Sequence, residues 1–299
     1  MPDAFELRTY RPADFASVLD LVGNAFGGES QETVQFAVSA SNTTTFVAEI
    51  GGSVAGVAMA IAFGRTAWLG NVVVSPACRR QGLGYALTER ALRHALKEAE
   101  TVLLLALGDA QRIYARLGFV SDGLYGSWAH KDPPAGEPAD GGAERPEAHD
   151  GQVAASGEAG PGAAEAQALA EQCLLLDRAA TGEDRSAYLE YFKPYLRVAR
   201  ALRSPAGEKI AAGYSARLPW GTGGIIAEDP EVAAGLVGDL LRAFPQTWFE
   251  FPDANEAGRR LASELGLVRV KENLRMRYGP PVSGFRPQCI YKTLTPAVG

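Results

Sequence analysis

Cysteine and histidine are scarce in this chain: 299 residues hold three of each. Cys78, Cys173 and Cys289 lie too far apart in sequence for a metal-ligand spacing or a disulfide framework. Histidines at 94, 130 and 149 offer Cys78 no evident partner for nucleophilic catalysis, so it reads as a passive loop residue. No long apolar run occurs, and the expectation is a cytoplasmic protein without a signal peptide that needs neither a membrane nor a metal. An excess of basic charge is missing too. Lys plus Arg against Asp plus Glu number 10 and 12 up to residue 130, 2 and 8 from 131 to 166, and 17 and 15 beyond. The whole formal charge of −6 thus falls in the middle stretch, which leaves nothing to attract nucleic acid.

That stretch marks a boundary. Of the 36 residues 131–166, 22 are Gly, Ala or Pro, none is aromatic, and Val153 is the one branched aliphatic. Such a composition cannot bury enough apolar surface to offset the entropy of ordering, so a disordered, solvating linker is expected between a domain at 1–130 and another at 167–299.

What is present is concentrated in residues 72–84, Val-Val-Val-Ser-Pro-Ala-Cys-Arg-Arg-Gln-Gly-Leu-Gly. A β-branched run ends at Pro76, an Arg-rich turn with two glycines follows, and helical periodicity begins, with Leu87, Ala91 and Ala95 on one stripe. Gly82 and Gly84 let the backbone approach a ligand closely, and the first N–H groups of the helix carry partial positive charge for a phosphate. A dinucleotide fingerprint is excluded, because Leu87 stands where a third small residue belongs and no acidic residue follows at the right distance. A nucleoside triphosphate loop would need Gly-Lys-Ser/Thr, which is absent from this segment.

The remaining pattern, Arg79-x-x-Gly82-x-Gly84 after a strand end, resembles the coenzyme A loop of the GNAT acetyltransferases. The context matches as well. A buried strand at Thr101–Leu107 is followed by Asp109-Ala-Gln-Arg-Ile-Tyr114-Ala-Arg-Leu-Gly118-Phe119-Val120, with a Tyr four residues before Gly-Phe as in that family. Upstream, 13–26 reads as an amphipathic helix, and 46–50 and 54–63 as strands of a hairpin turning at Gly51-Gly52.

The second half reads as a worn copy of the first. Strand candidates at 197–202, 210–217 and 221–228 lead to a helix at 230–244, a strand at 247–251, a helix at 255–265 and then Gly266-Leu267-Val268. Where the first half has its Arg/Gly loop, this one has Glu228-Asp229-Pro230-Glu231, which would repel a pyrophosphate, and Ala262 stands in the place of Tyr114. Together with Asp177-Arg178 to Asp184-Arg185 and Asn273-Leu-Arg275-Met276-Arg277-Tyr-Gly279, the chain is similar to tandem GNAT proteins with a YitH-like C-terminal domain. The Asp-Arg segment is equally readable as a capped, salt-bridged helix start or as part of an acceptor site.

The resemblance implies an α/β (α+β) fold of two domains. Each is a mixed, mostly antiparallel twisted sheet flanked by helices, with splayed strands holding acetyl-CoA in the first and the second shaping the acceptor site. It assigns thioester carbonyl and pantetheine contacts to the backbone of Val72, Val73 and Val74. The pyrophosphate falls to the loop Arg79, Arg80, Gln81, Gly82, Leu83, Gly84 and Tyr85, and the proton for the departing thiolate to Tyr114. The implied activity is acetyl transfer to a primary amine of a small molecule or a protein, with acetyl-CoA as co-substrate, in a monomer with an internal pseudo-dimer or in a homodimer. Two departures count against it: Leu107 replaces an Asn that contacts the coenzyme in many relatives, and no Asp or Glu lies between Glu49 and Glu89 to serve as a base. Glu29, Glu32, Asp109, Glu250, Asp253 and a water chain stay open for that role. A non-catalytic acyl-CoA sensor and an interaction module with a vestigial loop are the rival readings.

Overall fold

A computed structural model describes residues 5–26, 31–131, 163–198, 201–203, 209–218 and 221–295. In chain order the first half runs β1 (Glu6–Thr9), α1 (Phe15–Phe26), α2 (Gln31–Ser39), β2 (Thr43–Ile50), β3 (Ser53–Phe63), β4 (Thr66–Val74), α3 (Leu83–Ala95), β5 (Thr101–Ala106), α4 (Gln111–Arg116) and β6 (Val120–His130). The second half runs α5 (Ala163–Thr181), α6 (Ser186–Phe192), β7 (Leu196–Val198), β8 (Ala201–Arg203), β9 (Lys209–Ala211), β10 (Gly213–Leu218), β11 (Gly221–Ala227), α7 (Pro230–Ala243), β12 (Phe249–Pro252), α8 (Glu256–Glu264), β13 (Leu267–Tyr278) and β14 (Ile290–Lys292).

These elements form two compact units that are not contiguous in sequence. One holds the chain up to Asp122 together with Leu274–Pro281, and the other holds Gly123–Asn273 with the described residues 282–295. Splitting the chain at residues 130 and 167 therefore does not separate the units, because the end of β13 belongs with the first half's strands. Most of the expected linker, 132–162, lies outside the described residues, and its last four residues, 163–166, already begin α5.

In the first unit the strand order is β1-β2-β3-β4-β5-β13. All neighbours are antiparallel except β4 and β5. The hairpin between β2 and β3 turns at Gly51 and Gly52, both at positive φ (56° and 80°), the conformation that a two-residue turn demands and that glycine adopts without steric cost. Period-2 alternation on the strands meets the apolar stripe of α3, so that Ala58, Ala60, Leu87, Ala91, Leu104, Tyr114, Phe119 and Met276 share one core. Gly56 makes that packing possible. A Cβ there would lie 2.8 Å from Leu87 Cδ1 and 2.9 Å from the Val73 carbonyl, so any side chain would lift α3 off the sheet.

The second unit contains the β6–β12 pair, in which Phe249 faces Trp128 and Phe251 faces Gly126. It also has a sheet of order β14-β11-β10-β7 and the short pair β8–β9. The region read as strands 197–202 and 210–217 is thus divided among β7, β8, β9 and β10. Val232, Leu236 and Leu240 of α7 pack with Ile225, Phe249 and Phe251 into this unit's core. The Asp-Arg segment is salt-bridged and leads into a helix start: Arg185 precedes α6, the Ser186 N–H donates to Asp184 at 3.3 Å, and Arg178 and Asp184 are exposed. Asp177 sits in the last turn of α5, and its carboxylate accepts two hydrogen bonds from Arg185 (2.9 and 2.6 Å) and one from the Tyr214 hydroxyl, with all three side chains buried. Burying this pair costs desolvation on both charges, and the two-pronged contact is what offsets it.

Among the described residues no helix is long and apolar enough to cross a membrane, and no group of three or more His, Cys, Asp or Glu is placed to hold a metal ion.

Candidate functional site

Strands β4 and β5 part company halfway. Their parallel ladder runs through Thr66–Thr101 and Ala67–Val102 and stops at Trp68–Leu103, although β4 continues to Val74 and β5 to Ala106. On its other edge β4 stays paired with β3 as far as Val74–Gly56. That ladder absorbs an irregularity between Val57 and Met59, opposite Asn71, whose φ of +48° is left-handed. Asn tolerates this conformation better than a β-branched residue would, and its amide reaches Met59 Sδ at 3.4 Å. The backbone of residues 72–74 therefore has an edge that faces a widening cleft rather than a partner strand. Val73 is buried while Val72 and Val74 are half-buried.

The chain then passes through a short 3₁₀ turn at Pro76–Cys78 and enters the loop. Arg80 and Gly82 both have positive φ, 60° and 89°. Gly82 caps α3 with no side-chain acceptor, and the helix's own bonding starts with the Ala86 N–H donating to the Gly82 carbonyl at 3.0 Å. The N–H groups of the first turn are thus left to an external acceptor, and that turn holds no acidic residue. Arg79, Arg80 and Gln81 are exposed, whereas Leu83 is buried in the core and anchors the loop from below. Two side chains are already engaged: Arg79 Nε donates to the Val74 carbonyl at 3.3 Å, and the Arg116 guanidinium stands over the Tyr85 ring at 5.2 Å. Gly84 has ordinary backbone angles, and a Cβ there would point inward, 3.5 Å from Ile113 Cδ1 and 3.7 Å from Val74 Cγ2.

Tyr114 lies on α4, which packs beside α3. It is 7% exposed, and burial alone pushes its phenol up to about 12. Its hydroxyl oxygen is not one of the buried polar atoms left without a partner among the described residues. The ring meets Phe119 edge to face with centroids 6.1 Å apart, and Phe119 meets Tyr278 in the same manner at 5.8 Å. Sequence reasoning did not single out Gly56, Asn71 or Tyr278 for this site. A lone Gly inside a strand pattern was a readable signal for the first, but nothing local marks the other two.

Of the carboxylates considered as bases, Glu29 lies outside the described residues, and Glu32 is exposed on α2. In the other unit Asp253 is paired with Arg269, and Glu250 accepts hydrogen bonds from Ser127 (3.0 Å) and Asn273. Burial raises the proton affinity of Glu250. Asp14 and Glu49 are bound to Arg8, which holds the Asp14 carboxyl below its usual range. A pocket of about 340 Å³ lined by Asn42, Ala60, Ala67, His94 and Ala99 opens where β4 begins and α3 ends, away from the loop, and includes none of the site residues.

The corresponding place in the second unit is closed. Asp229 caps α7 with its own side chain, which accepts from the Glu231 N–H at 2.8 Å, and Glu228 pairs with Arg286 at 2.7 Å. The helix start is thus satisfied internally and carries negative charge, whereas α3 presents free N–H groups and arginines.

Two family models match the chain. Both are described as an acetyltransferase (GNAT) domain, one over residues 41–121 and the other over 173–291. No curated protein matches. Among solved structures, a Pyrococcus horikoshii protein provisionally described as an acetyltransferase aligns over 99% of this chain and 96% of its own at 18% identity and a TM-score of 0.74, which shows a shared fold. Rv2747 from Mycobacterium tuberculosis, solved in complex with CoA and NLQ, aligns over 40% of this chain and 74% of its own at 25% identity and a TM-score of 0.35. The ribosomal-protein-S18-alanine N-acetyltransferase of Escherichia coli aligns over 40% of this chain and 81% of its own at 21% identity and a TM-score of 0.38.

Proposed function

The chain belongs to the GNAT acetyltransferases, with two such domains in tandem, and we propose that it moves an acetyl group from acetyl-CoA to a primary amine. The observation that carries this reading is the contrast between two helix starts. The one after β4 is uncapped, free of acidic residues and set beside splayed strands. Its counterpart after β11 is capped by its own Asp229. The residues present fit a coenzyme with a pyrophosphate and an amide-bearing arm, which supplies an activated acyl thioester when bound. First-turn N–H groups with Arg79 and Arg80 would hold the anionic end, and the free edge of Val72–Val74 would pair with the arm. Arg79 must then release the Val74 carbonyl, a weak exposed contact at 3.3 Å.

The amine nitrogen attacks the thioester carbon, the carbon–sulfur bond breaks, and the sulfur leaves with the electron pair. Tyr114 Oη supplies the proton that makes this a thiol. A phenol near 12 is a weaker acid than the thiol it forms, so its proton moves only as the sulfur takes up charge. The phenolate left behind is basic enough to recover a proton from the ammonium of the attacking amine, directly or through water, which returns Tyr114 to its starting state. Net, for an amine that attacks in its neutral form, one proton passes from nitrogen to sulfur; the proton an ammonium loses before attack goes to solvent water.

An acyl-CoA sensor would use the same loop without transfer. Tyr114 favours the enzyme, because it sets a phenol on the helix that packs beside α3, where transfer needs an acid and simple binding does not. The test is to titrate the full chain with acetyl-CoA by calorimetry and then follow the labelled acetyl group in an amine library. One site per chain with transfer to an amine is expected. Binding without transfer to any amine would leave the sensor reading in its place.

A further inference from the structure

We infer that Tyr278, supplied by the second half of the sequence, is a positioning residue for the Tyr114 hydroxyl, an assignment that rests on the acetyl-transfer reading. Helix α4 has only six residues, too few to be stable alone, so the direction of the Tyr114 side chain depends on what backs it. Its backing is a row of three rings. Phe119 is tied to α4 by its N–H, which donates to the Tyr114 carbonyl at 3.1 Å, and its ring stands edge to face with both Tyr114 and Tyr278. Between Tyr114 and Phe119 the chain turns at Gly118, whose φ is +95° and where a Cβ would come within 3.2 Å of Tyr278 Cε2. Thus the turn and the ring of Tyr278 are fitted to each other.

Tyr278 is itself anchored from both sides. Leu274–Tyr278 pair residue by residue with Ala106–Val102 of β5. Arg277 is held by Asp122 at 2.9 Å and by the Gly279 carbonyl. At Gly279, with φ +96°, a Cβ would meet the Glu100 carbonyl at 2.2 Å, and the Thr101 hydroxyl donates to the Pro280 carbonyl at 2.7 Å. The backbone on either side of Tyr278 is fixed against the start of β5, and its ring transmits that placement through Phe119 to Tyr114. Reach alone would make this core packing. What distinguishes a positioning role is that the phenol must be aimed at the departing sulfur.

The test compares Tyr278→Leu and Tyr278→Phe in the full chain, with Tyr114→Phe as reference. Two things are read: kcat and KM for acetyl-CoA with an amine found in the library, and the pH at which the ¹³C-labelled ring carbon Cζ of Tyr114 begins to titrate. We expect Tyr278→Leu to lower kcat by about 10- to 100-fold, the cost of misplacing a reacting group by roughly 1 Å, with KM unchanged. Tyr114 should begin to titrate at lower pH as water enters, and Tyr278→Phe, which keeps the ring, should restore both readouts. A folded Tyr278→Leu protein with wild-type kcat and an unmoved Tyr114 titration overturns the inference. If that variant does not fold, Phe119→Leu replaces it with the same expected losses, and wild-type behaviour there overturns it equally. Full turnover in Tyr114→Phe removes the acid role instead, whereas full turnover in Tyr278→Leu beside a dead Tyr114→Phe removes only the positioning role.

Discussion

Trp68 and Leu103 are the last partners in the parallel ladder between β4 and β5, and the cleft of the candidate site begins immediately beyond them. Sheet strands with matched lengths normally stay paired, since an unmade backbone hydrogen bond away from water is costly. A pair that separates while both strands continue leaves donors and acceptors for a ligand with its own amide groups.

Gly82 sets the shape of the loop through its φ of +89°, in open space where an added methyl group would clash with nothing. Gly82→Ala should therefore lower acetyl-CoA affinity through backbone strain alone, by about 1–2 kcal/mol or roughly 5- to 30-fold. At Gly84 the contacts for a Cβ are ordinary, so Gly84→Ala should bind near normally, whereas Gly84→Val, with two further carbons pressed toward Ile113 and Val74, should bind poorly. Calorimetry on the three variants checks this. Equal affinity in Gly82→Ala and wild type would remove the loop from the site.

Tyr114→Phe deletes one oxygen and keeps the ring against Phe119. Turnover should fall by about 10²- to 10⁴-fold with acetyl-CoA affinity little changed. Because burial pushes the phenol up to about 12, it stays protonated at neutral and mildly alkaline pH. Wild-type kcat should then show no alkaline loss in that range attributable to Tyr114. Steady-state kinetics against pH on both proteins decides it, and a variant as fast as wild type would end the acid assignment.

Lys292 gives a pH signature to stability. It is buried in the second unit, and desolvation lowers its pKa to about 8, against the partial compensation of Glu250. The folded state then binds this proton less tightly than the unfolded chain, whose lysine is ordinary at about 10.4. The resulting penalty is complete below pH 8 and relieved as pH rises from about 8 toward the unfolded value. Glu250 is shifted up by burial and has the opposite slope, its penalty relieved as pH falls into the carboxylate range. In urea melts, wild-type stability relative to Lys292→Met should increase on going from neutral pH to about pH 10. A flat difference would mean that the lysine titrates normally in the fold.

Truncation tests the composition of the first unit. A fragment ending at residue 131 lacks Leu274–Pro281 and leaves β5 without its antiparallel neighbour. Alone it should fail to bind acetyl-CoA and should melt non-cooperatively. Co-expression with a fragment of 163–299 should restore a cooperative, coenzyme-binding species. Binding by the short fragment at wild-type affinity would show that β13 is dispensable.

Local rules carried the sequence a long way. The strand end at Val74, the loop glycines, the start of α3 and the Gly51-Gly52 hairpin follow from side-chain period, positive φ and free helix N–H groups. Each of these acts within a few residues and is written in order along the chain. The acidic start of α7 was legible for the same reason, because Asp229-Pro230 is a cap and first-turn signature. Pairing between distant segments is another matter. Leu274-Arg275-Met276-Arg277-Tyr278 alternates in a way that declares a strand with two faces, yet any exposed edge of suitable register would satisfy that pattern. Only the tertiary structure set it against β5, and with it the place of Tyr278 behind Tyr114 and of Arg277 beside Asp122. The burial of the Asp177–Arg185 pair and its third partner, Tyr214, were likewise out of reach, since charges read along a sequence look solvated until packing removes the water around them.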